Sequence, residues 1–311
     1  MTERQIWMSG AMIPESQARV SIFDRGFVYG DAAYDALRTY KHQPLRLAEY
    51  IERFFRSLHY LGIDPGVTRD ELAAIVRDVL AKNLPLISEN EDLQIVMRCT
   101  RGAPYTTDPL SPGPATLIVQ TPTFRIDAAA YTEGVDLLVT SIRRVPAVAV
   151  SPKPKTHDRL NNVLADIEAR RRDPKARSLM LDTEGKVCEG SSYNVAAVVD
   201  GTIITPKDNC LEGLSMKLVV ELANKIGIPA RYDDLTLFDL YNASEAFITG
   251  TSNGMLPVRS VDGRRIGTAI PGPVQERIWP EWDAFVGLDT REQARRYLNA
   301  SGPRPELQPA R

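Results

Sequence analysis

The sequence predicts a mixed α/β protein with two domains. Three observations lead there. A chain of 311 residues exceeds what one compact core usually needs. Short strand-like runs bounded by Gly, Asp and Pro turns alternate with a few amphipathic helices. The balance of 43% hydrophobic and 25% charged residues is that of a folded globular chain.

In chain order, "GDAAYDALRTY" alternates as a strand does, which puts Tyr34, Ala36 and Arg38 on one face. "LAEYIERFFRSLHYLGI" carries a helical apolar stripe (Leu47, Tyr50, Ile51, Phe54, Phe55, Leu58, Leu61) and stops at Gly62. "DELAAIVRDVLAKNL" is a second helix, with Thr68 as its N-cap. "LQIVMRCTRG" and "ATLIVQT" are strands around the turn-rich "APYTTDPLSPGP". These elements make a small N-terminal α/β domain, 1–124, followed by a linker, 125–135. The larger domain, 136–286, has short strands at "VDLLVTSIRRV", "SLMLDT", "KVCEG", "NVAAVVDG", "TIITP" and "EAFITGTSNGMLPVRSVDG". Helices "RLNNVLADIEARR" and "SMKLVVELANKIG" interrupt them. In the first of these, Leu160, Val163, Leu164 and Ile167 are spaced to be buried together, with Asp158 as N-cap. A helical tail, 287–311, ends in the frayed "SGPRPELQPAR".

Lys and Arg number 38 against 40 Asp and Glu, a net charge of −2 that offers no field for nucleic acid or an anionic membrane. Three cysteines without CxxC spacing and three histidines without ligand spacing argue against a disulfide framework and a metal site. No apolar run approaches the roughly 20 residues that span a bilayer, and "MTERQIWMSG" has no signal core. The expectation is a cytoplasmic protein with no metal, membrane or nucleic-acid partner. Neither GxGxxG nor GxxxxGK[ST] occurs.

Several residues carry potential chemistry. "SPKPKTHD" sets Lys153 and Lys155 just before a helix. Either is an ordinary solvated charge, or an amine partly desolvated by the docked helix and able to form a Schiff base. Glu189 ends a short strand before a Gly-Ser-Ser turn, as a surface charge or as an acid facing a basic ring nitrogen. Leu214 and Ser215 begin a helix whose free N–H groups favour an anion, although Ser215 read alone is an ordinary N-cap. Thr251 and Ser252 in "TGTSNG" offer hydroxyls and N–H groups in a turn. Arg53 is either a helix partner of Glu49 or an anion-binding cation.

Together with the blocks "DRGFVYGDAAYDALRTY", "LAEYIERFFRSLHYLGI", "KTHDRLNNVLADIEA", "EGSSYNVAAVVDGTIITP", "LEGLSMKLVVELANKIGI", "EAFITGTSNGMLPV" and "GPVQERIW", the chain resembles the class IV, or fold-type IV, pyridoxal-phosphate aminotransferases. The blocks occur in family order over about residues 20–280. The resemblance implies a small α/β domain, a larger domain with a β-barrel-like core, and pyridoxal 5'-phosphate as cofactor. It implies Lys155, not Lys153, as the Schiff-base and proton-transfer lysine, and Glu189 on the pyridine nitrogen. Arg53, Leu214, Ser215, Thr251 and Ser252 would hold the phosphate; Tyr34, Ala36, Arg38, Arg98 and Asn253 would face the substrate. It further implies a homodimer, with the site where domains meet and loops of the second copy reaching the substrate.

The implied reaction moves an amino group between an amino acid or primary amine and a 2-keto acid. The branch is branched-chain-aminotransferase-like or (R)-amine-transaminase-like. Aminodeoxychorismate-lyase-like chemistry and D-amino-acid transamination are the alternatives. Two departures bear on the branch. Leu160 stands where branched-chain enzymes commonly have Tyr, and "TRGAPYTTD" offers Tyr105 but not the Arg and His that D-amino-acid enzymes can use.

Overall fold

The structure, a computed structural model, describes residues 3–104, 106, 111, 113–122 and 126–300, and of 297–300 only the backbone. Tyr105 and residues 301–311 lie outside the described residues. The chain divides into two units. One runs from the N-terminus through the first sheet and includes Pro154–Asp158; the other comprises Ile126–Lys153 and Arg159–Ala300.

The first unit is built on strands β1 (Gln5–Met8), β2 (Ala11–Pro14), β3 (Ala32–Tyr40), β4 (Gln43–Pro44), β5 (Gln94–Thr100) and β6 (Thr116–Gln120). They form one antiparallel sheet in the order β2-β1-β6-β5-β3-β4. Its helices are α1 (Arg25–Tyr29), α2 (Leu47–Leu61) and α3 (Arg69–Asn83). The predicted stripe of α2 is its inward face: Tyr50, Ile51, Phe54 and Leu58 are buried, and Gly62 ends the helix in the left-handed region at φ 66°. Each such side chain contributes about 1.5–3 kcal/mol when withdrawn from water. Thr68 caps α3 as expected, in a reciprocal box with Glu71.

The second unit contains α4 (Ala130–Glu133), within the segment expected as a linker, then β7 (Val135–Val139), α5 (Leu160–Arg172), β8 (Arg177–Leu181) and β9 (Val187–Glu189). It continues through β10 (Asn194–Val199), β11 (Thr202–Pro206), α6 (Leu214–Lys225), β12 (Ala230–Asp233) and α7 (Leu237–Asn242). The remaining elements are β13 (Glu245–Gly250), β14 (Gly254–Val261), β15 (Arg264–Arg265), α8 (Pro273–Val286) and α9 (Thr290–Ala300). The strand path β10-β13-β14-β7-β8-β9 returns to β10, so six strands close into a barrel. The closing register pairs Glu189 with Asn194. Closure leaves those strands no edge, and Leu137, Leu179, Val195, Phe247 and Leu256 fill the buried core of this unit. The barrel-like core implied by the resemblance is therefore present. No described helix is long and apolar enough to cross a membrane.

Helix α5 reverses one expectation. Leu160, Val163, Leu164 and Ile167 do share a face, but that face is 67%, 52%, 42% and 42% exposed. The helix lies on β8 through Asn162, Ala165 and Ala169, whose small side chains permit close approach. Asp158 is not its N-cap either: Arg159 occupies that position without a side-chain cap bond.

Candidate active site

In the first unit, Lys155 is fixed by its backbone. Its carbonyl accepts from the Tyr34 N–H at 2.9 Å, and the next residue, Thr156, bridges Ala33. The Lys155 N–H donates to Ser57 Oγ at 3.0 Å, while the Ser57 hydroxyl donates to the Arg53 carbonyl at 2.9 Å. One helix, α2, thus carries Arg53 and also anchors Lys155. The Lys155 Nζ lies 4.8 Å from the centroid of the Tyr34 ring, which also meets the His157 ring at 5.3 Å. Lys153, in the second unit, is largely exposed and pairs with Glu212 at 3.1 Å. The two lysines of the "KPK" segment therefore have different environments.

Arg53 is a buried cation. It forms a two-pronged pair with Asp35, Nε to Oδ2 at 2.8 Å and Nη2 to Oδ1 at 2.7 Å, and Asp35 is fully buried. Burial alone would lower the guanidinium's pKa; the Asp35 charge and hydrogen bonds outweigh it and hold it above its ordinary value. Glu49, the partner considered from helix spacing, pairs with Arg46.

Tyr34, Ala36 and Arg38 lie on one face of β3, as the alternation predicts, but their surroundings differ. Arg38 is buried over the Tyr40 ring, 4.2 Å to centroid, and pairs with Asp92 at 3.6 Å. Its charge is already balanced, so it serves the strand rather than offering a cation to a ligand. Arg98 on β5 sits directly opposite Tyr34 in register. Burial lowers the Arg98 guanidinium below its ordinary value, with Tyr34 acting in the opposite sense. Arg98 has no carboxylate partner among the described residues.

In the second unit, Glu189 ends β9 at the barrel seam and is buried. Its Oε1 lies 3.0 Å from Arg144 Nε, and its Oε2 accepts the Leu211 N–H at 3.1 Å. The loop that supplies Leu211 then enters α6. Gly213, not Ser215, is the N-cap; Leu214 and Ser215 are the first two helical residues. The first helix bond runs from the Lys217 N–H to the Gly213 carbonyl at 2.9 Å, which leaves the N–H groups of residues 214–216 outside the ladder. A Cβ on Gly213 would come within 1.8 Å of Asn194 Oδ1, so only glycine lets the loop approach the barrel this closely.

Thr251, Ser252 and Asn253 form the three-residue turn between β13 and β14. Gly254 closes it at φ 66°, where a side chain would also meet the Trp282 ring. The Asn253 carbonyl accepts from the Tyr131 hydroxyl at 2.6 Å. Thr249, just before the turn, pairs in register with Asn194 and so shares its strand face. Its buried hydroxyl has no partner among the described residues.

Each unit, taken by itself, carries groups of the kinds that a phosphorylated basic aldehyde would need. The first unit presents a restrained lysine and a buried arginine. The second presents a buried carboxylate, a glycine-shaped helix start and an orphaned hydroxyl donor of the kind an anion satisfies. Comparison with known proteins agrees: the pattern of "Amino-transferase class IV" matches residues 32–261, and the chain belongs to that family. It is a pyridoxal-phosphate-dependent aminotransferase.

The "Putative branched-chain-amino-acid aminotransferase" of Methanocaldococcus jannaschii is 32% identical over 278 residues, covering 88% of this chain and 93% of the relative. The branched-chain-amino-acid aminotransferase of Escherichia coli K12 is 30% identical over 302 residues, covering 92% and 93%. Among solved structures, a T.th. branched-chain amino acid aminotransferase complexed with N-(5'-phosphopyridoxyl)-L-glutamate superposes with a TM-score of 0.83 at 29% identity, covering 95% of this chain and 97% of the other.

Sequence reasoning did not find Asp35, Ser57, Arg144 or Thr249. A signal existed for the first: a carboxylate on the inward face of an otherwise apolar strand needs a counter-ion.

Proposed function

We propose that this chain transfers the amino group of a hydrophobic L-amino acid to a 2-keto acid, as a branched-chain-type transaminase. The relatives at 30–32% identity support that substrate class. The observation that carries it is Arg98: a partly buried guanidinium without a carboxylate partner among the described residues, opposite the tyrosine that contacts Lys155. A 2-keto acid would use that cation with either kind of donor, whereas an amino-acid donor uses it in both halves of the cycle. A carboxylate-bearing donor or acceptor satisfies it by a two-pronged bond.

Bound pyridoxal phosphate supplies the electron sink that makes the substrate's α-hydrogen acidic. Lys155 Nζ would take that proton from the substrate carbon as general base and, as general acid, pass it to the carbon that bore the cofactor's aldehyde. Tyr34 limits where the amine can swing. Arg53, the start of α6 at Leu214 and Ser215, and the Thr251–Ser252 turn would hold the phosphate. Glu189 would face the ring nitrogen and favour its protonated form. Ala36 leaves room beside Tyr34, and Asn253 borders the phosphate turn.

The test is a half-reaction screen with holoenzyme and L-leucine, L-glutamate, D-alanine or (R)-1-phenylethylamine, read as loss of the bound cofactor's visible absorption. L-leucine and L-glutamate are expected to react fastest. Arg98→Met is expected to raise KM for both by about ten- to a hundredfold, the effect of losing a charged hydrogen-bonded partner. Equal rates with the amine, unaltered by Arg98→Met, would sink the amino-acid reading.

The reading includes a homodimer. Leu160, Val163, Leu164 and Ile167 make an apolar face on α5 that one copy of the chain leaves in water. Sedimentation of the purified protein should give twice the 34.5 kDa chain mass, and Leu160→Asp with Val163→Asp should lower it to one chain. A native protein that sediments as a single chain at micromolar concentration contradicts this.

A further inference from the structure

The mechanism above gives Arg144 no part, yet its guanidinium lies directly against the ring-nitrogen acid. Its backbone N–H donates to the Leu181 carbonyl at 2.9 Å, which ties the segment after β7 to β8. The guanidinium then reaches Asn162 Oδ1 on α5 at 3.4 Å and lies 3.0 Å from Glu189 Oε1. Asn162 is itself held, its Nδ2 donating to the Ser191 carbonyl at 3.2 Å in the turn that follows Glu189. Arg144 and Glu189 are both nearly buried, with side-chain exposures of 12% and 8%. The Nε–H is close to the carboxylate but not aligned with it, so the contact is one of charge rather than a formed hydrogen bond. Glu189 Oε2 is meanwhile taken by the Leu211 N–H. The acid is thus gripped from two sides within its own unit.

We propose that Arg144 is a positioning residue for Glu189 that keeps the shared proton on the cofactor's ring nitrogen. The proposal rests on the functional reading above. If that proton passed to Glu189, the attraction between Arg144 and the carboxylate would be lost. Because Coulomb energy falls with distance, the contact made directly on the carboxylate dominates. Without Arg144, a buried carboxylate has one fewer counter-charge and holds a proton more strongly. The ring nitrogen then gives up part of its proton, and the cofactor becomes a poorer electron sink. The buried Cys210 thiol feels the same pair: burial pushes it up to about 12, Glu189 in the same direction and Arg144 in the opposite one.

The experiment uses holoenzyme loaded with pyridoxal phosphate carrying 15N at the ring nitrogen, read by NMR. Arg144→Gln is expected to move the resonance toward the unprotonated position. Arg144→Lys keeps the charge but not the fork, and should move it less in the same direction. In a Glu189→Gln background, Arg144→Gln should add no displacement, because Arg144 acts through the acid. A wild-type resonance in folded, loaded Arg144→Gln overturns the assignment. If that variant does not fold or load, the Arg144→Lys displacement decides, and its absence overturns the assignment equally. Failure of the wild-type chain to take up pyridoxal phosphate would instead defeat the parent reading.

Discussion

Replacing Lys155 with alanine is expected to lower transamination by about 10^4-fold or more, since in the proposed mechanism one side chain both holds the cofactor and moves the substrate proton. The same change at Lys153 should leave the rate within about twofold, as expected for an exposed surface pair with Glu212. The contrast matters because the two residues are separated only by Pro154 and share the same sequence environment. What separates them is backbone anchoring: Lys155 is bonded to β3 and to Ser57 of α2, and its amine lies over the Tyr34 ring. Steady-state assays of both variants settle the matter. Comparable activity in Lys155→Ala and wild type would refute the assignment, as would comparable loss in both variants.

Removing the Asp35 carboxylate should have the largest effect on stability. Asp35 is fully buried and meets Arg53 through two hydrogen bonds of 2.7 and 2.8 Å. Asp35→Ala leaves a buried guanidinium without that counter-charge, at an expected cost of about 3–5 kcal/mol. Adding Arg53→Met should recover part of the loss, because the uncompensated charge then goes too. Urea unfolding of the single and double variants measures both effects. A loss below about 1 kcal/mol for Asp35→Ala would mean that the pair behaves as a surface salt bridge. The same substitution should weaken phosphate binding, since Asp35 sets the direction of the Arg53 fork.

Much of the first unit was legible because its signals are local. The alternation of β3, the apolar stripe of α2 and the Thr68 cap each depend on residues a few positions apart. Barrel closure was not legible in the same way. It requires β7 to lie parallel to β14, more than a hundred residues on, and β9 to meet β10 through the single register pair Glu189–Asn194. Helix α5 marks the limit of periodicity. Leu160, Val163, Leu164 and Ile167 do form a face, but spacing cannot say whether the same chain covers it, and here all four side chains are exposed.

The site divides along similar lines. Lys155, Glu189 and the two small-residue turns stand at strand ends, turns and a helix start, and Arg53 inside an apolar helix, but their roles came from the resemblance rather than from those positions. Whether a charge is engaged depends on partners distant in sequence. Arg38 is paired with Asp92, 54 positions away, whereas Arg98 on the neighbouring strand lacks a carboxylate partner among the described residues. No local pattern distinguishes those two arginines. Ser215 illustrates a smaller displacement: a hydroxyl residue near a helix start suggests a cap, but the close approach of the loop to Asn194 requires glycine, so the cap falls to Gly213.

The central claim is best tested by borohydride reduction of the wild-type holoenzyme, followed by proteolysis and mass mapping of phosphopyridoxyl-lysine. The account predicts one modified residue, Lys155, at a stoichiometry of one per chain. Modification of Lys153 or another lysine instead, or an unmodified Lys155 in protein saturated with pyridoxal phosphate, would contradict it.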